Sequence, residues 1–168
     1  MAGTQSFDIT SGCDLQEVDN AVNQATKEIR QRYDFKGLKV AVDFLRAENK
    51  LVLRSPDEFK LNAMWEVLQQ KLVRRNVPIR NLRRGKVMPA GGGTVTQEVE
   101  LQQGIATETA RAIVKLIKDR KIRKVQAEIQ GDQVRVFSPS RDDLQEVLRV
   151  MREQDFGVEL NFGNFRST

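Results

Sequence analysis

The chain has 168 residues, 39% of them hydrophobic and 30% charged, with a formal net charge of +5 and no histidine. That length holds one ordinary domain or two small ones with modest cores, and no apolar run approaches the roughly 18–20 residues of a membrane span. Without histidine, and with Cys13 as the only cysteine, the chain lacks an internal disulfide, a thiolate metal cluster and both the Ser-His and Cys-His nucleophile pairs.

In chain order, Ser6-Phe7-Asp8-Ile9-Thr10 is the first strand candidate. Leu15, Val18, Val22, Ala25 and Ile29 then recur at helical steps, with Asp14 as cap and Glu17 in the reciprocal capping-box position. This helix should end near Tyr33, before Gly37. The runs 38–45 and 49–55 are rich in β-branched residues and read as an antiparallel hairpin. Ser55-Pro56 opens a second helix, with the proline at its first position, Glu58 completing the box, and Leu61, Trp65, Leu68 and Leu72 inside. Gly85-Lys86-Val87-Met88 is the expected closing strand of this half.

Pro89-Ala90-Gly91-Gly92-Gly93 reads as a linker, because it lacks the lysine and Ser or Thr that follow a phosphate-binding loop. The alternating run 94–103 opens the second half. Ile105, Ala106, Ala110, Ile113 and Ile117 give a helix over about 105–121. Two strands, 123–130 and 133–138, meet at the tight turn Gly131-Asp132. Ser138-Pro139 precedes a last helix containing Leu144, Val147, Leu148 and Met151, and 158–162 closes as a strand. The stretch Asp-Leu-Gln-Glu-Val occurs at 14–18 and 143–147, but in different helix slots, so it is a helix-entry idiom. The repeat lies in the order of elements, β-α-β-β-α-β twice, the ferredoxin-like arrangement.

Two basic tracts stand out. Lys71, Arg74, Arg75, Arg80, Arg83, Arg84 and Lys86 form the first. Arg111, Lys115, Lys118, Arg120, Lys121, Arg123 and Lys124 form the second. One or two cations suffice to complement a helix C-terminus; seven create a potential that collects phosphates. The aromatics do not form the cluster of a conventional RNA-recognition strand. Phe137 beside Arg135 offers one stacking surface. The segments 33–37 and 162–166 pair phenylalanine with a cation, Phe35 with Lys36 and Phe165 with Arg166, although anchoring of a core is the commoner reason for such phenylalanines.

Certain stretches resemble the bacterial YajQ family: Ser6-Phe7-Asp8, Asp34-Phe35-Lys36-Gly37, residues 114–119 and 125–127, residues 129–136, Arg141-Asp142-Asp143-Leu144-Gln145, and Asn164-Phe165-Arg166. The resemblance runs over nearly the whole chain. It implies an α+β protein of two ferredoxin-like units in tandem, with exchange of the N-terminal strands as one arrangement. It also implies a small cytosolic protein that binds a nucleotide or RNA (tRNA, GTP or cyclic di-GMP) without assigned catalysis. The expected division is 1–90 and 91–168, with strands 5–11 and 94–103 as the segments open to exchange.

The expected phosphate-holding residues are Lys86, Lys115, Lys118 and Lys121, with Lys36 beside Phe35. Arg135, Phe137, Phe165 and Arg166 supply guanidinium or stacking surfaces. No catalytic residue, metal or cofactor is expected. The N-terminus lacks the basic region and apolar core of a secretory signal, so the expected location is cytoplasmic, away from the membrane. Two other readings compete: an adaptor whose basic tracts meet an acidic or regulatory protein partner, and a metal-dependent phosphohydrolase using Asp8, Asp34 or Asp43.

Overall fold

The computed structural model describes residues 3–167. The chain forms two compact units. Cys13–Gln103 is one; the residues up to Gly12 join those from Gly104 onward in the other. Each unit packs two helices on one antiparallel sheet and has its own core.

The Cys13–Gln103 unit begins with helix α1 (Leu15–Gln31). The Asp14 carboxylate accepts from the backbone N–H groups of Gln16 and Glu17 at 3.0 and 3.4 Å, offsetting two of the unpaired donors of the first turn. Glu17 does not return the capping bond; its carboxylate is taken by Arg75 at 3.1 Å and Asn20 at 3.2 Å. A 3-10 turn, Tyr33–Phe35, follows and buries Phe35. Strands β2 (Ala41–Leu45) and β3 (Lys50–Ser55) form the expected hairpin, turning through Arg46–Glu48 and a left-handed Asn49.

Helix α2 (Glu58–Arg74) starts later than expected. Asp57 caps it, accepting from the Lys60 N–H at 2.8 Å, so Pro56 precedes the cap instead of occupying the first turn. Its inner face carries Leu61, Met64, Val67, Leu68 and Leu72. Trp65 is only half-buried and lies beneath the Arg84 guanidinium at 5.0 Å.

Two short strands, β4 (Leu82–Arg84) and β5 (Met88–Ala90), replace the single closing strand. Both pair with one edge of β6 (Thr94–Leu101), whose other edge pairs with β3. The Gly91–Gly93 run closes the β5–β6 hairpin, with Ala90 opposite Thr94, and is therefore a turn within one sheet, not a linker. Gly92 and Gly93 have φ of 72° and 74°, values that side chains disfavour.

In the other unit, β1 (Gln5–Thr10) lies in the middle of the sheet. It pairs with β8 (Gln133–Ser138) on one side and β9 (Asn161–Ser167) on the other, while β7 (Gln126–Gln130) flanks β8. Helices α3 (Thr107–Asp119) and α4 (Arg141–Glu153) contribute Ala110, Ile113 and Ile117, and Leu144, Val147, Leu148, Val150 and Met151. Ala106 is the exposed cap position of α3, so the buried face begins at Ala110. Ser140 caps α4, its hydroxyl accepting from the Asp143 N–H at 3.3 Å; Pro139 again lies before the cap. The final strand comes later than the 158–162 run. Val158 is buried in the loop before it, and pairing with β1 begins at Asn161.

The element order in this unit is β1-α3-β7-β8-α4-β9, with sheet order β7-β8-β1-β9. In the first unit the sheet order β2-β3-β6-β4 gives β6 the place that β1 has here. Both are ferredoxin-like arrangements. Each central strand stands, in sequence, next to a helix of the other unit: β1 before α1, and β6 before α3.

Candidate nucleotide and nucleic-acid interface

The two basic tracts differ in what their charges already touch. In the first, Lys71 Nζ pairs with Glu28 at 2.9 Å and Arg75 pairs with Glu17 at 3.1 Å, both joining α2 to α1. Arg84 donates to Gln97 at 3.1 Å and to Asn62 at 2.7 Å while lying on Trp65. Burial there holds its guanidinium below the ordinary arginine value. Arg83 donates to the backbone carbonyls of Arg80 and Leu82. Much of this tract therefore ties helices and an edge strand together. Lys86 remains exposed between β4 and β5. Lys36 is exposed just after Phe35, whose ring is buried and flanked by Arg32 at 5.2 Å and Lys60 at 5.5 Å.

The second tract is different. Arg111, Lys115 and Lys118 line the outer face of α3, at four- and three-residue steps, while Ala110, Ile113 and Ile117 face the core. Lys121, Arg123 and Lys124 follow in the connection to β7, all exposed. None of these six side chains takes part in a hydrogen bond or ion pair among the described residues. Arg120 adds to the lowering of Glu146, whose main partner is Arg149. Lys121 and Lys124 have φ of 52° and 55°, a left-handed conformation that costs a lysine about 1–2 kcal/mol.

On the sheet face turned away from α3 and α4, Asp8, Arg135 and Phe137 are neighbours. Strand alternation sends Phe7, Ile9, Val134 and Val136 into the core, leaving Ser6, Asp8, Arg135 and Phe137 on the other face, with Ser6 opposite Phe137 and Asp8 opposite Arg135. Arg135 binds Asp8 through two bonds, 2.7 and 3.3 Å, and the Asn164 amide donates to the same carboxylate at 2.6 Å. The Arg135 guanidinium is thus occupied, and it holds the Asp8 carboxyl below its ordinary value. Phe137 is half-buried on this polar face.

Phe165 and Arg166, on β9, line a cleft of about 480 Å³ at the end of the same sheet, together with Gln5, Arg141, Gln145 and Ser167. Nothing in the spacing of Gln5, Arg141 and Gln145 marks them in the sequence. They meet because the register sets Gln5 opposite both Ser138, just before α4, and Ser167.

Asp34, like Asp8, is bound to an arginine, accepting from Arg32 at 3.0 and 2.8 Å. Among the described residues no group of three or more Cys, Asp or Glu is arranged to hold a metal ion, and no helix is long and apolar enough to cross a membrane.

Residues 5–166 match the family model described as "Nucleotide-binding protein YajQ-like". A nucleotide-binding protein of Desulfitobacterium hafniense is 51% identical over 166 residues, covering 99% of this chain and 100% of its own. One of Bacillus cereus is also 51% identical over 166 residues, with the same coverage. A nucleotide-binding protein of Solibacter usitatus is 49% identical over 162 residues, 96% of this chain and 97% of its own.

Proposed function

We propose that this chain, which belongs to the YajQ-like family of nucleotide-binding proteins, binds nucleotides and RNA through their phosphates and acts by binding, without catalysis. The observation that carries this reading is the row of unpaired cations from Arg111 to Lys124. Like charges at helical steps repel one another by a few tenths of a kcal/mol per pair, and two lysines in left-handed backbone add strain. A surface charge that served only solubility would not need either cost. A phosphate chain relieves the repulsion by neutralising the cations and releasing its own counterions.

Lys115, Lys118 and Lys121 are the phosphate-holding residues in this reading. Phe137, half-buried, and Phe165, exposed, are the rings of the same unit that this reading offers to bases. RNA such as tRNA and guanine nucleotides such as cyclic di-GMP are the ligand classes to test first.

The test is the triple variant Lys115→Gln, Lys118→Gln, Lys121→Gln, titrated with tRNA at several salt concentrations. Affinity should fall, and the slope of log K against log salt should shallow by up to about two units, at ~0.7 per lost contact to a single strand. The fold should survive, since exposed substitutions usually change stability by within about 0.5 kcal/mol. Unchanged affinity and slope would reject this face as the binding surface and favour an acidic protein partner.

A further inference from the structure

The cleft between the end of the β1–β9 pair and the start of α4 lies in one unit and joins two cations to an aromatic ring; the concavity along α1 also has two cations, Lys27 and Arg30, and no carboxylate, but no ring. The groove between α1 and α2 carries Lys71 and Arg75, but Glu28 and Glu17 in the same lining neutralise them. Among the described residues, the cleft has Arg141 and Arg166 and no carboxylate in its wall. Neither arginine side chain has a hydrogen bond or ion pair among the described residues; Arg166 only adds to the field on Asp8. The side-chain amides of Gln5 and Gln145 are likewise unspent.

Phe165 is the third component. Its ring leans on the fully buried Phe7 at 5.6 Å between centroids and 35° between planes, yet remains 61% exposed. The side chain is therefore propped in place from one side while the rest of the ring fronts the cleft. Leaving that much apolar surface in water is unfavourable, and a planar base laid on it removes the exposure.

From these three features we infer that the cleft binds a single nucleotide unit, the base on Phe165 and the phosphate between Arg141 and Arg166. Gln5 and Gln145 present amide donors and acceptors to the base edge or ribose. This deepens the nucleotide-binding reading and rests on it, but it names a separate place, away from the lysine face of α3. A volume of about 480 Å³ falls in the ~300–1,000 Å³ range of small-ligand sites, suited to one nucleotide and too small for a folded RNA segment. The same chemistry is offered by a free nucleotide and by the terminal nucleotide of an RNA strand.

The test uses the full chain, titrated with GMP, AMP and inorganic phosphate while amide NMR signals are followed. The Arg141 backbone and the Gln5 and Gln145 side chains should shift, and either nucleotide should bind about tenfold or more tightly than inorganic phosphate, the advantage expected of base stacking. Phe165→Ala should remove that advantage, and Arg141→Gln should weaken all three ligands about tenfold. Both side chains are exposed, so folding is expected to hold, and Arg166→Gln is the second variant should either one unfold. Competition of GMP against one RNA oligonucleotide, with and without a 5′-phosphate, separates the sources. Tighter binding of the phosphorylated strand points to an RNA end, and equal or tighter binding of GMP points to the free nucleotide.

Absence of nucleotide binding at millimolar concentration, or binding unchanged in all three variants, overturns the inference. The triple-lysine variant keeps the two readings apart. If it loses tRNA while the parent chain never binds GMP, the cleft alone is rejected. If it keeps tRNA while GMP binding depends on Arg141 and Phe165, the lysine face alone is rejected.

Discussion

Cys13 is the one thiol of the chain, and desolvation in the core of its unit pushes it up to about 11. The thiolate is the reactive form, so an aromatic disulfide reagent at pH 8 should label the native protein far more slowly than the denatured one. Labelling at equal rates would mean that Cys13 is not packed as found. Asp8 shows a different kind of burial. Its carboxylate is held low first by the Arg135 hydrogen bond, then by Asn164 and the charges of Arg135 and Arg166, against the opposing cost of burial. A carboxyl held lower in the folded than in the unfolded chain stabilises the fold above its unfolded value, ordinarily 3.8, and loses that contribution as pH falls through the lower folded value. Asp8→Ala should therefore lower stability at pH 7 by about 1–3 kcal/mol, because it removes three hydrogen bonds to a charged, buried carboxylate. The difference from the parent chain should shrink in denaturant titrations carried out progressively below pH 4. A constant difference down to pH 2 would rule out ionisation of Asp8 as the cause.

At the level of elements, helical periodicity was readable wherever burial decides it: α1 and α4 have the expected apolar faces, and α3 has its own from Ala110 onward. Misplaced features were those settled by partners distant in sequence. The 158–162 run alternates like a strand, but β9 is selected by its pairing with β1, which places Phe162 opposite Ile9 and Arg166 opposite Ser6. The two Ser-Pro pairs signal helix starts correctly, two residues too early, because each proline precedes the cap instead of occupying the first turn. The caps can be tested directly. Asp57→Ala and Ser140→Ala should each cost about 1 kcal/mol, and Asp57→Asn should keep most of the capping bond; a neutral Asp57→Ala would return the cap to Ser55. The same limit governs the candidate interface. The number of cations in each tract could be counted along the chain, but Glu17 and Glu28 lie more than forty residues before Arg75 and Lys71, so only the fold separates the paired tract from the unpaired one.

For the whole molecule, the unusual feature is where the two central strands come from. β1 is the middle strand of a sheet otherwise built from residues after Gly104, and β6 is the middle strand of the sheet in Cys13–Gln103. A cut at the glycine run, which composition alone suggests, would separate β6 from β3, β4 and β5, and β1 from β8 and β9. Each product would keep a central strand with no sheet to join and a sheet split by a missing strand. The core residues Val99 and Leu101 would leave the first product, and Phe7 and Ile9 the second. Loss of several fully buried side chains exceeds the 5–15 kcal/mol that holds a typical domain together. Fragments 1–90 and 91–168 should therefore each lack cooperative unfolding and dispersed amide signals when expressed alone. Fragment 13–103, which retains both helices, every strand of its sheet and its complete core, should fold by itself and show a single denaturant transition. A cooperative 1–90 fragment, or an unfolded 13–103 fragment, would mean that strand pairing in solution follows chain order and that β1 and β6 are not placed as described.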